Sequence, residues 1–356
     1  MPNQAIEELF STLAGRYQSG DLTKAKNVLS GVVEAPQAGE IVPLPAPGTP
    51  AHAALVALGR QALDAGQLGV VILSGGMATR FNYDKPKGVF PIFEGKSFLQ
   101  LKLEAVKALG RPVPIYLMTS FATDGAIREH LEANQYFGLD PKLVVRFQQY
   151  RMPRLAPDGS HFKEDGEVSY AAPGHGDFPM AFQASGSLAA FMEGGGRYLL
   201  FSNVDNLGAT VDLAIVGSHV QAGKQMTVEV APKNQGDQGG APARVDGRLQ
   251  LVEGFAFPPG FDQDSVDVFN TANYVFNAAA LGDDFELPWY VVEKKVDGQI
   301  VIQFEHLAGD LSTVLSAHFV RVDREERFLP VKNVTDVPGV QEILGRRWPA
   351  KLAALH

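Results

Sequence analysis

The sequence predicts an α/β fold in which helices flank a mixed, mainly parallel central sheet. Short runs rich in Val, Ile and Leu alternate with segments of helical periodicity between residues 70 and 231. Capping residues stand at the starts of several of the helical segments. A glycine pair directly follows the first of the apolar runs. Such alternation produces βαβ units, whose strands pair in parallel and whose helices cover both faces of the sheet.

The N-terminal region is predicted to be helical on both sides of a proline-rich connector. Apolar residues recur at helical spacing over Ile6–Tyr17, which indicates an amphipathic helix. The connector covers residues 34–50 and reads as extended chain. Thr49 and Pro50 suit the N-cap and first position of a second helix, and Gly66 is suited to its end.

The alternating region is predicted to contain further strands and helices in regular order. They are a strand from Val70, a helix capped by Ser97, a strand over Val113–Thr119, a helix capped by Thr123 or Asp124, a strand over Leu143–Gln149, a helix over Asp177–Glu193, a strand over Tyr198–Val204, a helix over Asp212–Ala222 and a strand over Met226–Ala231. Beyond it, Arg244–Leu249 alternates around Asp-Gly, a strong hairpin signal. Strands predicted over Asn273–Asn277 and Gln299–Glu305 would extend the sheet beside its parallel core.

Composition narrows the possible partners. The net charge of −9 argues against nucleic acid or an anionic membrane as the main partner. The chain has no cysteine, which excludes disulfides, thiolate zinc sites and a cysteine nucleophile and fits a cytoplasmic protein. Met1–Arg16 lacks the basic and apolar regions of a signal peptide. No apolar run approaches the roughly 18 residues of a membrane span.

The stretch Val70–Pro91 has the features of a polyphosphate site. The strand leads into Gly75–Gly76, where backbone N–H groups are accessible because no Cβ intervenes. Cations follow closely, Arg80 and Lys87 among them, and clustered cations beside backbone N–H groups suit phosphates. Neither the P-loop nor the Rossmann spacing fits, and Pro86 disfavours a helix after the glycines. The glycine pair alone would equally fit a tight strand-to-loop turn.

Ligands of such sheets bind at the carboxyl ends of the strands. Ser74–Gly76, Gln149 and Asn203–Asp205 each stand at the end of a predicted strand. We therefore expect these three segments to meet at one edge of the sheet.

Five further blocks follow this stretch in order, namely Pro173–Asp177, Ser202–Leu213, Leu251–Glu253, Phe269–Asn273 and Arg327–Lys332. With the Gly-rich loop and its downstream Pro-Lys, they resemble the eukaryotic-type UDP-glucose pyrophosphorylases (UTP–glucose-1-phosphate uridylyltransferases) over about residues 70–337. The resemblance implies a Rossmann-like nucleotidyltransferase fold. It also implies Mg²⁺-dependent uridylyl transfer from UTP to glucose-1-phosphate, which gives UDP-glucose and pyrophosphate.

The residue types suit this chemistry. A sugar-phosphate oxygen must attack the α-phosphorus of a nucleotide, so two anions must approach each other and catalysis consists mainly of positioning and charge neutralisation. Fixed cations and a carboxylate-held Mg²⁺ meet that need without a covalent nucleophile. Lys87, Lys332, Arg80 and Asp205 provide such a set.

The resemblance also implies individual roles. The nucleotide-binding residues would be Leu73, Ser74, Gly75, Gly76, Gln149 and Gly174. Gln149 would read uracil, because an amide offers a donor and an acceptor together. The sugar-phosphate-binding residues would be His175, Asn203, Asp205, Glu253, Asn270 and Asn273, with Asp205 also holding Mg²⁺. The catalytic cations would be Lys332, Lys87 and Arg80, with Lys332 as the main one. Taken singly, these residues also fit turn formers, strand-end amides and surface charges.

Three features depart from the family pattern. Ala78 stands at the third glycine of the loop, and Arg80 stands where the eukaryotic enzymes usually lack arginine. Few residues follow Lys332, so we expect the C-terminal β-helix domain of those enzymes to be missing. The oligomeric state is left open, because contacts built from that domain cannot be inferred.

Two alternatives remain at this point. One is a UDP-N-acetylhexosamine pyrophosphorylase, although that group usually has a Gly-Gly-Asn-Gly loop where this chain has Gly174–Asp177. The other is a catalytically silent nucleotide-sugar binding protein, which would not need transition-state cations. The predicted segments are N-terminal helices with the connector (1–68), a catalytic domain (69–335) and a short C-terminal helical tail (336–356).

Overall fold

The computed structural model describes residues 2–234, 237 and 239–355, and over these residues an eight-stranded mixed sheet forms the centre of the molecule. Its strands, numbered in chain order, are β1 (Ile41–Pro43), β2 (Leu68–Leu73), β3 (Ile115–Thr119), β4 (Val144–Gln148), β5 (Tyr198–Asn203), β6 (Met226–Pro232), β7 (Val268–Asn277) and β8 (Ala317–Arg321). Their order across the sheet is β1-β8-β6-β7-β5-β2-β3-β4. Strand β7 is antiparallel to both of its neighbours, and the other neighbouring pairs are parallel.

Helices cover both faces of this sheet. They are α1 (Pro2–Gln18), α2 (Pro50–Asp64), α3 (Phe98–Lys107), α4 (Asp124–Ala133), α5 (Phe178–Ala184), α6 (Ser187–Glu193), α7 (Leu213–Ala222), α8 (Arg324–Arg327) and α9 (Val337–Leu355). One hydrophobic core contains residues of α3 and α9, such as Leu99 and Leu344, and a second contains residues of α5 and α6, such as Phe182 and Leu188. The predicted fold class is confirmed. Among the described helices, none combines the length and apolarity needed to cross a bilayer.

Local signals placed the helix starts correctly. The side chains of Thr49, Ser97 and Asp212 accept hydrogen bonds from backbone N–H groups in the first turns of α2, α3 and α7, at 3.2, 3.1 and 2.8 Å. Thr123 occupies the N-cap position of α4, but its hydroxyl accepts instead from the N–H of Ser120, at 2.9 Å.

The predicted helix over Asp177–Glu193 is wrong as a single element. It is two short helices, α5 and α6, separated at Gly186, whose φ of 76° lies in the left-handed region. Glycine adopts this conformation readily, and the left-handed backbone at Gly186 ends α5.

The prediction for the later strands needs a second correction. Asn273–Asn277 belongs to β7, which lies inside the sheet between β5 and β6 instead of beside the parallel core. Gln299–Glu305 pairs with Tyr290–Val296 in a separate hairpin, which we call the 290–305 hairpin, and Ile302 also forms a single antiparallel bridge with Leu155. The hairpin predicted around Asp246-Gly247 is confirmed, since Ala241–Val245 pairs with Arg248–Val252.

Short strands also occur outside these elements. They are Val33–Glu34, Pro91–Phe93, Lys96–Ser97, Met152–Pro153, Lys163–Glu164, Glu167–Val168 and Tyr170–Ala171. The central parallel strands β2 to β5 all end at one edge of the sheet, and antiparallel β7 begins there. This edge carries the predicted site.

Candidate active site

A cleft of about 720 Å³ opens at this edge of the sheet. Its walls are the chain segments that follow β2, β3, β4 and β5, together with the 290–305 hairpin. Nine of the residues predicted from the sequence line it, namely Leu73, Gly75, Gly76, Lys87, Gln149, Gly174, His175, Asn203 and Asp205. The three strand ends expected to meet therefore do so.

Hydrogen bonds fix the side chain of Gln149 in the wall of the cleft. Its Nε2 donates to the carbonyl oxygen of Gly174 at 2.9 Å and to Oδ1 of Asp177 at 3.3 Å. Its Oε1 lies against Gly75, where an added Cβ would sit only 2.5 Å away. Gly174 has a φ of 84°, and a Cβ there would lie 2.3 Å from the carbonyl oxygen of His306. A Cβ at either position would collide with these oxygen atoms, so the close approach at both positions depends on glycine.

His175 presents a neutral ring to the cleft. Its Nδ1 accepts a hydrogen bond from the backbone N–H of Ala308 at 2.9 Å, so the ring proton resides on Nε2. Burial lowers the pKa of His175 to about 4. Near neutral pH the residue can therefore donate one hydrogen bond from Nε2 without carrying a charge.

An ion pair also lines the cleft. Lys87 Nζ is 2.6 Å from Asp205 Oδ2, and their side chains are only 15% and 24% exposed. The backbone N–H of Lys87 donates to the carbonyl oxygen of Gly76 at 3.0 Å, which closes the Gly-rich loop back on itself. The ammonium group also lies 5.1 Å from the centre of the Phe81 ring. The loop thus holds a cation beside its own glycines and the strand-end carboxylate.

Some predicted residues lie outside the cleft. Ser74 is fully buried, and its backbone N–H donates to Met118 in the sheet, at 2.8 Å. Arg80 is exposed in the turn Thr79–Phe81. Lys332 is exposed as well, although the preceding Val331 donates its N–H to the carbonyl oxygen of Asp205 at 3.3 Å. The backbone of Lys332 is therefore next to the site while its side chain does not line it.

Three of the six predicted sugar-phosphate-binding residues, Glu253, Asn270 and Asn273, are half-buried or buried away from the cleft. Asn270 Nδ2 donates to the hydroxyl of Tyr274 at 2.8 Å, and Asn273 Oδ1 accepts from Asn206 at 3.2 Å. Glu253 is largely buried, and desolvation raises the pKa of its carboxyl to about 7. The structure places these three residues outside the lining of the cleft.

The sequence-based predictions missed one wall of the cleft. The 290–305 hairpin contributes Lys294, Lys295, Gln303 and Glu305, and Arg154 lies beside it with Nε donating to Gln303 Oε1 at 3.0 Å. An Asp-Gly pair at 297–298 marks the turn of this hairpin just as it does at 246–247. That signal could have identified the hairpin, although not its position over the cleft.

The charges in the cleft suit an anionic ligand. Lys87, Lys294, Lys295 and Arg154 line it together with the carboxylates of Asp205 and Glu305. Positive charge is thus concentrated here although the whole chain carries −9. Among the residues described, no group of three or more His, Cys, Asp or Glu side chains is placed to hold a metal ion. A metal at Asp205 would therefore need ligand atoms from a bound phosphate, as is usual for Mg²⁺.

Comparison with known proteins gives similarities along most of the chain. The profile of the family described as UTP–glucose-1-phosphate uridylyltransferase matches residues 16–344. The probable UTP–glucose-1-phosphate uridylyltransferase of Schizosaccharomyces pombe is 30% identical over 295 residues, which cover 76% of this chain and 58% of that protein. UTP–glucose-1-phosphate uridylyltransferase 2 of Dictyostelium discoideum is 32% identical over 306 residues, with 79% and 59% covered. The chain thus spans less than two thirds of either relative.

Solved structures share the fold. A uridine diphosphate N-acetylglucosamine pyrophosphorylase from Trypanosoma brucei superposes with a TM-score of 0.78 at 19% identity, over 96% of this chain and 81% of that one. A UDP-glucose phosphorylase from the same organism gives 0.76 at 24% identity, over 96% and 76%. At these identities the likeness shows a shared fold and not the choice of sugar.

Proposed function

The chain belongs to the UTP–glucose-1-phosphate uridylyltransferase family, and from this premise we propose that it transfers the uridylyl group of UTP to glucose-1-phosphate. The products are UDP-glucose and pyrophosphate, and Mg²⁺ supports the reaction. A cytoplasmic location is part of the same proposal.

One observation carries the proposal. The Lys87–Asp205 pair, 2.6 Å apart beside Gly75 and Gly76, shares a single cleft with the fixed amide of Gln149. A nucleotide placed with its base at Gln149 would have its phosphates near the ammonium group of Lys87. Phosphate oxygens bind cations and backbone N–H groups strongly.

The reaction needs no covalent intermediate on the protein. An oxygen of glucose-1-phosphate forms a bond to the α-phosphorus of UTP, the bond from that phosphorus to the bridging oxygen breaks, and pyrophosphate leaves with the electron pair. Lys87 neutralises charge on the nucleotide phosphates and so lets the second anion approach. His175 donates from Nε2 to the sugar phosphate, which it can do as a neutral ring. The Nε2–H thereby orients the attacking group.

Asp205 fits the proposed Mg²⁺ site. It offers a partly exposed carboxylate in the cleft, and the amide oxygen of Asn203 lies on the same segment. Mg²⁺ is commonly held by one or two carboxylates together with substrate phosphates. Bound there, the ion would neutralise phosphate charge. Lys87 already pairs with this carboxylate, so the ammonium group must move partly towards the phosphates when the site fills.

The remaining roles are also part of the proposal. Glu253, Asn270 and Asn273 are proposed to bind sugar hydroxyls, and Lys332 and Arg80 are proposed to assist the triphosphate from the rim. The role of Lys332 is supported by the position of its backbone. The preceding residue, Val331, donates its N–H to the carbonyl oxygen of Asp205. Movement of these side chains towards the cleft on substrate binding is required, because none of them lines it in this structure.

The proposal is tested with purified protein, UTP, Mg²⁺ and a panel of sugar-1-phosphates, by measuring pyrophosphate release. We expect release with glucose-1-phosphate, and loss of release when EDTA removes the metal. A clear preference for N-acetylglucosamine-1-phosphate would overturn the choice of sugar. No release with any sugar, despite binding of UDP-glucose, would show a silent binding protein instead.

A further inference from the structure

A buried carboxylate that the proposed chemistry does not use lies directly behind Gln149. Asp177 is fully buried at the turn that leads into α5. Its Oδ1 accepts from Gln149 Nε2 at 3.3 Å, and its Oδ2 accepts from the backbone N–H of Tyr150 at 2.9 Å. Burial of a carboxyl costs free energy, and burial here raises the pKa of Asp177 to about 7. Such a costly group is expected to have a specific role.

The contacts of Asp177 fix which way the Gln149 amide points. Two acceptors face the same end of that amide, the Gly174 carbonyl oxygen at 2.9 Å and Asp177 Oδ1 at 3.3 Å. An NH₂ group satisfies both, whereas the reverse orientation would place Oε1 against the Gly174 carbonyl oxygen, which has no proton to donate, and would require Asp177 to be protonated. Nε2 is therefore held towards Gly174 and Asp177, and Oε1 faces Gly75 in the cleft.

The orientation of this amide has a consequence for base recognition. Uracil carries a hydrogen-bond donor at N3, whereas cytosine carries a lone pair there. An Oε1 facing the cleft accepts from uracil N3–H and repels cytosine N3, while an Nε2 facing the cleft would do the opposite. We propose that Asp177 is a positioning residue that makes the cleft select uracil over cytosine, by holding the Gln149 amide with Oε1 towards the base. This inference rests on the proposed function, since it assumes a uridine nucleotide with its base at Gln149.

A carboxylate is needed here because both of its oxygens must accept. In Asp177→Asn, one oxygen can still accept from Tyr150 N–H, but the remaining NH₂ then faces the NH₂ of Gln149. In the variant either orientation of the Gln149 amide has one unfavourable contact, because the new NH₂ opposes Nε2 and the Gly174 carbonyl oxygen opposes Oε1. The preference for Oε1 towards the cleft is therefore weakened. The variant side chain has the same shape, so packing around the turn is preserved. What is lost is the acceptor that orients the Gln149 amide.

The test compares binding of UDP and CDP by titration calorimetry, which does not depend on turnover. We expect the wild-type protein to bind UDP at least about tenfold more tightly than CDP, as one misdirected hydrogen bond in a desolvated site predicts. Asp177→Asn should lower this UDP-to-CDP ratio by about tenfold. Asp124→Asn is a matched control, since Asp124 accepts from Thr119 at 2.9 Å and Arg146 at 3.1 Å but lies outside the cleft. The control should leave the ratio within about twofold of wild type.

A double variant separates positioning from general damage. In a Gln149→Ala background the amide is gone, so adding Asp177→Asn should change the ratio no further. A merely structural role for Asp177 would weaken UDP and CDP equally and leave their ratio unchanged, which would overturn the proposal.

The wild-type protein provides a second measurement that needs no variant at Asp177. N3-methyl-UDP lacks the N3–H donor and should bind at least about tenfold more weakly than UDP. Equal binding of UDP, CDP and N3-methyl-UDP by wild type would overturn the orientation of Oε1 even if Asp177→Asn did not fold. Selective UDP binding without pyrophosphate release would instead contradict the proposed function and leave the role of Asp177 standing.

Discussion

Replacement of Lys87 by methionine should abolish most of the activity while the fold survives. Methionine keeps the length and apolar stem of the side chain and removes only the ammonium group. Lys87 Nζ lies 2.6 Å from Asp205 Oδ2, in a pair whose side chains are 15% and 24% exposed. The substitution therefore removes the ion pair that joins the Gly-rich loop to the carboxylate at the end of β5.

The size of the effect follows from this geometry. At 2.6 Å two opposite charges attract by about 6 kcal/mol for an effective dielectric constant of about 20, before desolvation is subtracted. The net contribution of such a charged hydrogen bond to folding is smaller, about 1.5–3 kcal/mol, which a domain of this size tolerates. A fixed charge acting on developing charge in the reaction lowers the barrier by about 2.7–4 kcal/mol. We therefore expect kcat to fall about 100- to 1,000-fold.

The assay measures pyrophosphate release with UTP, glucose-1-phosphate and Mg²⁺, and circular dichroism checks the fold. Lys96→Met is the matched control, because Lys96 follows closely along the chain, is paired with Glu104 at 2.9 Å and lies outside the cleft. Its activity should stay within about twofold of wild type. Turnover by Lys87→Met within about threefold of wild type, with the fold intact, would refute the proposal that Lys87 neutralises charge on the nucleotide phosphates.

Three further predictions concern the rim, the core and the ring of His175. Lys332→Ala should lower kcat by about 100-fold with folding intact, and near-normal steady-state turnover would remove Lys332 from the catalytic set. Arg327→Met should lower the free energy of unfolding by about 3–5 kcal/mol in urea titrations, because Arg327 and Glu229 form a buried pair at 2.7 Å and the carboxylate would lose its partner. An unchanged urea midpoint would contradict that estimate. The His175 pKa of about 4 lies below its ordinary value, so the ring should stay neutral with the proton on Nε2 from pH 8 down to about pH 5. Nitrogen-15 NMR of the ring would show a titration near pH 6.5 if this were wrong.

Signals within single segments predicted much of the fold. The apolar runs of β2 to β5 and the caps at Thr49, Ser97 and Asp212 depend on neighbouring residues, so the sequence reveals them directly. The meeting of three strand ends follows from a general property of parallel sheets. The single helix expected over Asp177–Glu193 fails because the glycine at 186 has a conformation that periodicity does not reveal.

Long-range pairing could not be predicted in this way. β7 lies in the middle of the sheet, hydrogen-bonded to β5 and β6. The residues of β7 indicate a strand, but they do not indicate which strands it pairs with. The 290–305 hairpin has a local turn signal, yet its position over the cleft depends on packing against distant segments, α1 among them. The hydrogen bond from Gln149 to Asp177 joins residues 28 apart, and neither side chain alone indicates it. The sequence blocks identified many of the residues that line the cleft, and the structure showed which groups orient them.

The most direct test of the proposed reaction is a phosphorus-31 NMR spectrum of the wild-type protein with UTP, glucose-1-phosphate and Mg²⁺. UDP-glucose and pyrophosphate should appear in equal amounts as the two substrates disappear, and adding pyrophosphate to UDP-glucose should regenerate both substrates. An unchanged spectrum, or the appearance of inorganic phosphate or UMP in place of these products, would contradict it.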